Sequence, residues 1–454
     1  MAFKFFGRIW GKSFRHKRYQ KRFEDLPFDV TIQILKYLGA KQSAKMCLVN
    51  KRLNSIVSEN HLWMYFLQQE EPCGFFAESH LRSLRTLPSA PSLPWMTIYG
   101  QRAQVPRAVI IDGGLGYAKF GWSKDSAPSR TSETSLVFRD IEHLQNSLDV
   151  HGYFFTIYTR MQAERSKQPI IVSMPICHHD GFEYEKAAKR HEEAIVSTLL
   201  HMDVPAVCVV NEAVLALIAA RELSGIVVHI GIYHTSVVPV RHGEIMHQVG
   251  VKATEIGALK VMEFLKKQLE DHNIYYGRYF TDKALREEAM GSSRAANFLH
   301  SCKMLCYVAL DYEAELSSED SNVSVGPFGG IWITLSVERF RTGEVLFQPL
   351  LAGMNAVSLQ DSVVLCMKKC QEANVAGDDS WYRTVVLAGG CACMPGLAGR
   401  LEKEVLGLLP PPMTRGIRVL PPPYGADSAW FGAQLIGNAY FCFGYDLPSW
   451  REPV

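Results

Sequence analysis

Apolar and polar positions fall into three regimes along the chain. From Phe23 to Gln69, Leu26-Pro27 precedes Val30, Ile34, Leu35 and Leu38; then come Cys47-Leu48-Val49-Asn50-Lys51-Arg52-Leu53 and His61-Leu62-Trp63. Spacings of three and four residues predict helices. A proline at the first turn loses no needed hydrogen bond, so Pro27 is expected to open a helix with Val30, Ile34, Leu35 and Leu38 as its apolar face. The segment has the length of a three-helix unit. So short a unit buries little apolar surface by itself, which suggests that some of these residues meet a partner. Residues 70–106 hold Pro72, Pro88, Pro91, Pro94 and Pro106 among serines and read as a linker, with Trp95 to Tyr99 left to pack on a neighbour.

Beyond Pro106 the pattern turns to strands. Val109-Ile110-Ile111-Asp112-Gly113-Gly114-Leu115-Gly116-Tyr117-Ala118-Lys119-Phe120-Gly121-Trp122 is a β-branched run, a glycine turn and a second run, which predicts a β-hairpin. The segment after the glycines alternates as a strand, which excludes a P-loop or dinucleotide fold, where a helix follows them. The pattern recurs at Gly225 to Gly231, followed by Tyr233 to Val240. Between the hairpins, Ala187 to His201 and then Val204 to Leu217 predict helix, buried strand and helix. Val385-Val386-Leu387-Ala388-Gly389-Gly390 is a strand running into paired glycines ahead of a helix from Pro395, an order that lets backbone approach a ligand. Two such hairpins imply a duplicated α/β core with a cleft between its halves.

At 454 residues two or more domains are expected, and 47% hydrophobic content can fill them. A net charge of +2 provides no global field for nucleic acid or membrane. The local exception is residues 1–22, where Lys4, Arg8, Lys12, Arg15, Lys17, Arg18, Lys21 and Arg22 occur without an acid. A solvated tail, a nuclear-import or nucleic-acid patch around Arg15 to Arg22, and a membrane-surface or mitochondrial targeting helix through Phe3, Phe6, Trp10 and Phe14 all fit it. The 11 cysteines have no framework spacing, which fits a reducing compartment. Cys391 with Cys393, and His178 with His179, lack companions at ligand spacing, so no metal site is expected. No apolar run reaches spanning length and no signal-peptide core is present, so a soluble intracellular protein is expected.

The glycine hairpin can turn the N–H groups of Gly113, Gly114 and Gly116 towards a phosphate, with Asp112 near a metal and Lys119 supplying positive charge. An ordinary glycine-turn hairpin fits the same spacing. Two resemblances sharpen the picture.

Residues 23–69, with Leu-Pro-x-Asp-Val-x-x-x-Ile-Leu-x-x-Leu, Leu-Val-Asn-Lys-Arg-Leu and Leu-Trp, resemble the F-box. That resemblance implies binding to a Skp-type adaptor, and through it a cullin-RING ubiquitin ligase, with Leu26, Pro27, Ile34, Leu35, Leu38, Val49 and Trp63 as contacts. A second domain would then hold an unknown protein substrate.

The chain from Val105 onward resembles actin and the actin-related proteins, most specifically in Leu305 to Asp311, Glu338 to Arg341 and Leu387 to Gly390. The fold class implied is α/β, the duplicated actin-like fold shared with sugar kinases and seventy-kilodalton chaperones, preceded by a small all-α F-box domain. The expected organisation is a basic tail over 1–22, the F-box over 23–69, a linker over 70–106 and the actin-like domain over 107–454.

In that family the first hairpin holds the nucleotide phosphates. Asp112, Gly114, Gly116 and Lys119 match its motif, but Leu115 stands where a hydroxyl belongs. In the second hairpin, His229 and Ile232 replace acids and Tyr233 replaces a glycine. Glu212 replaces the glutamine that positions the attacking water, and Lys303 falls where a glutamate contacts the nucleoside. Gly389 and Gly390 persist. ATP is therefore the one cofactor implied, on a weakened set of anchors, with no catalysis expected.

Arg139 to Pro169 is shorter than the filament-contact lobe of an actin, so no self-assembly is expected, and Glu287 to Cys302 reads as a surface insertion. The leading expectation is a substrate-recruiting or scaffolding subunit in the nucleus, with the nucleolus as an option, and also in the cytoplasm. A nucleotide-switched ATPase and a nuclear structural subunit of a chromatin-type complex are the alternatives.

Overall fold

The computed structural model describes residues 23, 26–70, 96, 99, 108–114, 118–131, 147–176, 182–247, 249, 252–271, 305–317, 323–328, 331–373, 381–443 and 450–451. The basic tail over 1–22, Leu115, Gly116, His178, His179, the insertion Glu287 to Cys302 and Lys303 lie outside them. Two compact units are present, Met1–Gln104 and Val105–Val454.

Among the described residues of the first unit the helices over 23–70 are α1 (Phe28–Leu38), α2 (Ala40–Met46), α3 (Lys51–Val57) and α4 (Asn60–Glu70), one more than the three-helix expectation. Pro27 sits at the N-cap of α1. Gly39 adopts φ +80°, which ends α1 and lets α2 follow at once. Asn50 caps α3, its Oδ1 accepting the Leu53 N–H at 2.8 Å. The core is Leu35, Leu53, Ile56, Val57, Leu62, Trp63 and Phe66, with the Trp63 indole N–H donating to the Val57 carbonyl. The expected apolar face of α1 divides: of its four apolar residues only Leu35 is buried, while Ile34 is half-buried and Val30 and Leu38 are exposed.

The second unit contains, in order, β1 (Val109–Gly113), β2 (Ala118–Trp122), β3 (Ser129–Thr131), α5 (Ser147–Met161), β4 (Ile170–Met174), α6 (Phe182–His201), β5 (Val207–Asn211), α7 (Glu212–Ala219), β6 (Gly225–Ile230), β7 (Thr235–Arg241), β8 (Glu244–Ile245), β9 (Lys252–Thr254) and α8 (Ala258–Asp271). There follow α9 (Tyr312–Leu316), β10 (Val323–Phe328), β11 (Ile331–Leu335), α10 (Glu338–Glu344), α11 (Leu359–Glu372), β12 (Thr384–Ala388), α12 (Leu397–Leu408), α13 (Pro411–Thr414), β13 (Arg418–Leu420), α14 (Ser428–Phe443) and β14 (Trp450–Arg451).

Two mixed sheets organise these elements. The first runs β14-β5-β4-β1-β2-β3; the second runs β13-β12-β6-β7-β8, with β9 also on β7. Each contains one of the expected hairpins: β1 against β2 with Asp112 opposite Lys119, and β6 against β7 with His229 opposite Ser236. β1 is buried along its length and β6 nearly so, as expected for central strands of α/β sheets covered on both faces.

Helices α7 and α14 pack on one another, α7 also meeting β5 and β6 and α14 meeting β1 and β4. The crossing depends on Gly432, where a Cβ would lie 1.9 Å from the Leu215 carbonyl oxygen. Separate apolar clusters fill the two halves, one around Ile111, Phe154, Ile170 and Val207, the other around Val228, Leu265, Met367 and Leu387. Among the described residues no helix is long and apolar enough to cross a membrane.

Candidate functional site

The first hairpin places its charges by register. Asp112 on β1 faces Lys119 on β2, and Lys119 in turn faces Arg130 on β3, so the three residues lie side by side on one face of the sheet. The Lys119 ammonium is buried and donates to Asp112 Oδ2 at 2.8 Å and to the Ala426 carbonyl at 2.5 Å, and it lies 3.8 Å from Asp427 Oδ1. Arg130 donates to both Asp427 oxygens, at 2.8 and 2.7 Å. Asp112 is itself buried. Behind it, burial and then the Asp112 charge push the Tyr153 phenol well up, so that ring stays neutral. Gly114 is half-buried beside this group.

The second hairpin is arranged differently. His229 Nδ1 lies 3.7 Å from Glu212 Oε1, and that same oxygen accepts the Ile176 N–H at 3.0 Å. Glu212 opens α7 immediately after Asn211, whose side chain accepts the Ala213 N–H at 2.9 Å. At the turn, the Gly231 N–H donates to the His234 carbonyl, while the Gly231 and Ile232 carbonyls accept the first N–H groups of α8. Gly257 packs so closely beneath that a Cβ there would be 2.4 Å from the Ile232 carbonyl oxygen. Backbone at this turn is thus occupied by the chain's own contacts.

The paired glycines divide. Gly389 has φ +94° and a Cβ on it would lie 2.3 Å from the Ile230 carbonyl oxygen, so packing of β12 against β6 already requires glycine there. Gly390 is exposed with open space around its Cβ direction. Cys391 is buried and Cys393 exposed, and among the described residues no group of three or more His, Cys, Asp or Glu is placed to hold a metal ion.

These observations bear on whether magnesium and a nucleoside triphosphate fit. Asp112 and Lys119 are bonded to each other, and Lys119 is bonded again to the chain at Ala426. His229 faces a carboxylate, and the Gly231 N–H is taken within its own turn. Among the described residues, Asp112, Lys119 and the Gly231 N–H, which a magnesium-polyphosphate would need, are thus already engaged within the chain. Arg130 and Asp427 escaped the sequence reading. Neither lies in a motif, and only the β2–β3 register and the return of the chain before α14 bring them to Lys119.

The seven expected adaptor contacts are also separated by the fold. Leu35 and Trp63 are core residues of the first unit. Leu26 and Ile34 are half-buried and Pro27 is exposed. Leu38 and Val49 are exposed, in company with Phe28, Val30, Tyr37 at 93% and Leu48 at 89%.

Comparison with known proteins gives two family matches. The Actin profile matches residues 153–440, and the F-box-like profile matches residues 23–69. The chain is 49% identical over 424 residues to Actin-related protein 8 of Arabidopsis thaliana, covering 92% of this chain and 86% of that protein. It is 45% identical over 423 residues to Actin-related protein 8 of Oryza sativa subsp. japonica, covering 91% and 84%. Actin-like protein 7B of Macaca fascicularis is 28% identical over 370 residues, 73% of this chain and 82% of that protein.

Proposed function

Because this chain belongs to the actin family and carries an F-box-like segment ahead of its actin-type domain, we propose that it is a non-catalytic adaptor, the substrate-recruiting subunit of a Skp-cullin-F-box ubiquitin ligase. The helical unit docks a Skp-type adaptor, and the actin-like domain presents a surface to the protein that is modified. The observation carrying this reading is the set of apolar side chains left outside the core of the helical unit. Tyr37, Leu38, Leu48 and Val49 are exposed on a unit that still buries Leu35, Leu62 and Trp63. An exposed aliphatic and aromatic group of this kind on so small a unit is favourable only if a partner covers it.

The cleft reading follows from the internal commitments of Asp112, Lys119 and Gly231. They support a centre retained as architecture, without ATP hydrolysis and without magnesium. A nuclear site of action, shared with the cytoplasm, accompanies this reading and draws on the basic residues 15–22.

The test is co-purification of the Skp-type adaptor with the full chain. Leu48→Asp and Val49→Asp are expected to reduce recovery at least tenfold while leaving the melting temperature within about 1 °C, since both residues are exposed. Recovery equal to that of the wild type with both charges in place refutes the docking assignment. Imaging the chain with and without residues 1–22 tests the localisation, and unchanged nuclear accumulation would remove the basic segment from the account.

A further inference from the structure

Lys119 and Arg130 are directly opposed on neighbouring strands, an arrangement that is unfavourable for two cations unless an anion lies between them. The anion present belongs to the chain itself. Asp427 receives two bonds from Arg130, at 2.8 and 2.7 Å, and stands 3.8 Å from the Lys119 ammonium. It also immediately precedes α14, a helix of 16 residues whose N-terminal dipole favours negative charge. Its side chain is only 18% exposed, and the Ala426 carbonyl beside it accepts from Lys119 as well. Asp112 takes up the other side of the same ammonium.

We infer that Lys119 and Arg130 form a two-cation oxyanion cradle whose resident occupant is the Asp427 carboxylate, and that this internal carboxylate excludes polyphosphate from the first hairpin. The inference rests on the reading of the cleft as non-hydrolytic, and it adds the means of exclusion. That means is an occupied cation pair, in addition to the altered second hairpin. A polyphosphate would have to displace Asp427 from a doubly bonded guanidinium and leave its charge without either partner. Without the carboxylate, Arg130 would lose both of those bonds beside the Lys119–Asp112 pair, and the two cations would outweigh the Asp112 charge on that sheet face. The chemical class such a pair accepts is a multiply charged oxyanion of phosphate type.

The experiment measures the melting temperature of the full chain against inorganic pyrophosphate from zero to 5 mM, without magnesium and at constant ionic strength, with sulfate as the control anion. The wild type is expected to shift by less than about 1 °C, and Asp427→Asn to gain a saturable rise of roughly 2 °C or more. Asp427→Ser should behave like Asp427→Asn, and Asp427→Glu, which keeps the charge, like the wild type. Adding Arg130→Leu to Asp427→Asn should abolish the gain.

A wild-type rise as large as that of Asp427→Asn overturns the inference, because the carboxylate is then no barrier. So does the absence of any gain in both Asp427→Asn and Asp427→Ser, because the cations then accept no oxyanion. Release of phosphate from ATP by the wild-type chain would overturn the non-hydrolytic reading itself. That outcome is separable, since pyrophosphate without magnesium reports on the cradle alone.

Discussion

Arg400 on α12 offers the sharpest test of what holds the actin-type unit together. Its guanidinium donates to Glu344 Oε1 at 3.0 Å and Oε2 at 3.2 Å, to the Ala309 carbonyl at 2.8 Å and to Glu404 at 2.6 Å, and it stacks over Phe347. Glu344, at the end of α10, is fully buried, and apart from Arg400 it accepts from Gln348 at 2.9 Å. Replacing Arg400 by Met keeps most of the volume but leaves a buried carboxylate without its cation. Loss of one partner of a buried pair costs about 3–5 kcal/mol.

With an unfolding entropy that scales with the 350 residues of the unit Val105–Val454, this corresponds to a fall of roughly 4–7 °C in its melting temperature. The pH dependence identifies the cause. Burial pushes the Glu344 carboxyl up, with Gln348 and Arg400 acting against it, and removing Arg400 raises it further. A carboxyl whose folded pKa lies above its unfolded one destabilises the fold as pH rises from the unfolded value through the folded value. The Arg400→Met deficit should therefore be smaller at pH 5 than at pH 8. Scanning calorimetry on Arg400→Met and on the double variant with Glu344→Gln reads both effects. A deficit of under 1 °C, or one of equal size at the two pH values that Glu344→Gln does not relieve, would refute the reasoning.

Three further outcomes are expected. Burial pulls the His191 imidazole on α6 down to about 4, so its contribution is complete above pH 6.5 and is lost as pH falls towards 4; this amounts to roughly 2 kcal/mol by pH 5, and His191→Leu should flatten the acid side of the stability profile followed by circular dichroism. Gly432→Ala should cost about 1–3 kcal/mol or more because its Cβ meets the Leu215 carbonyl oxygen, whereas Gly390→Ala, with open space, should stay within about 0.5 kcal/mol, both read as melting shifts. In the helical unit, Trp63→Ala should cost about 3–5 kcal/mol and abolish cooperative unfolding of that unit, while Val49→Asp should leave it intact.

Local chemistry was legible wherever a neighbour in sequence is also a neighbour in space. Alternating β-branched runs around glycine turns mark both hairpins, and the structure sets their register, Asp112 opposite Lys119 and Gly225 opposite Val240. Pro27 marked the start of α1, and the run into Gly389 marked the end of β12. The sequence order around Gly389 suits the approach of a ligand; what requires glycine there is the Ile230 carbonyl of the adjacent strand. Periodicity also grouped Leu35 with Leu38 on one face of α1, since a helix repeat specifies an angle and a burial tendency. Which of the two is covered depends on α3 and α4, and there Leu35 is buried and Leu38 is not.

The sequence by itself determined the family resemblance, the F-box-like segment and the identity of the residues altered at the second hairpin, because each is written in short runs of residues. Only the tertiary structure decided what those residues do with their charges. Arg130 and Asp427 are 297 positions apart, Arg400 and Glu344 are 56 apart, and His229 meets Glu212 from a different element. Each partnership depends on which elements the fold sets side by side, while the favourable energy of a buried charge depends on the partner it finds. A sequence motif names a lysine that could hold a phosphate; the fold of this chain has already given that lysine to Asp112 and to the turn before α14.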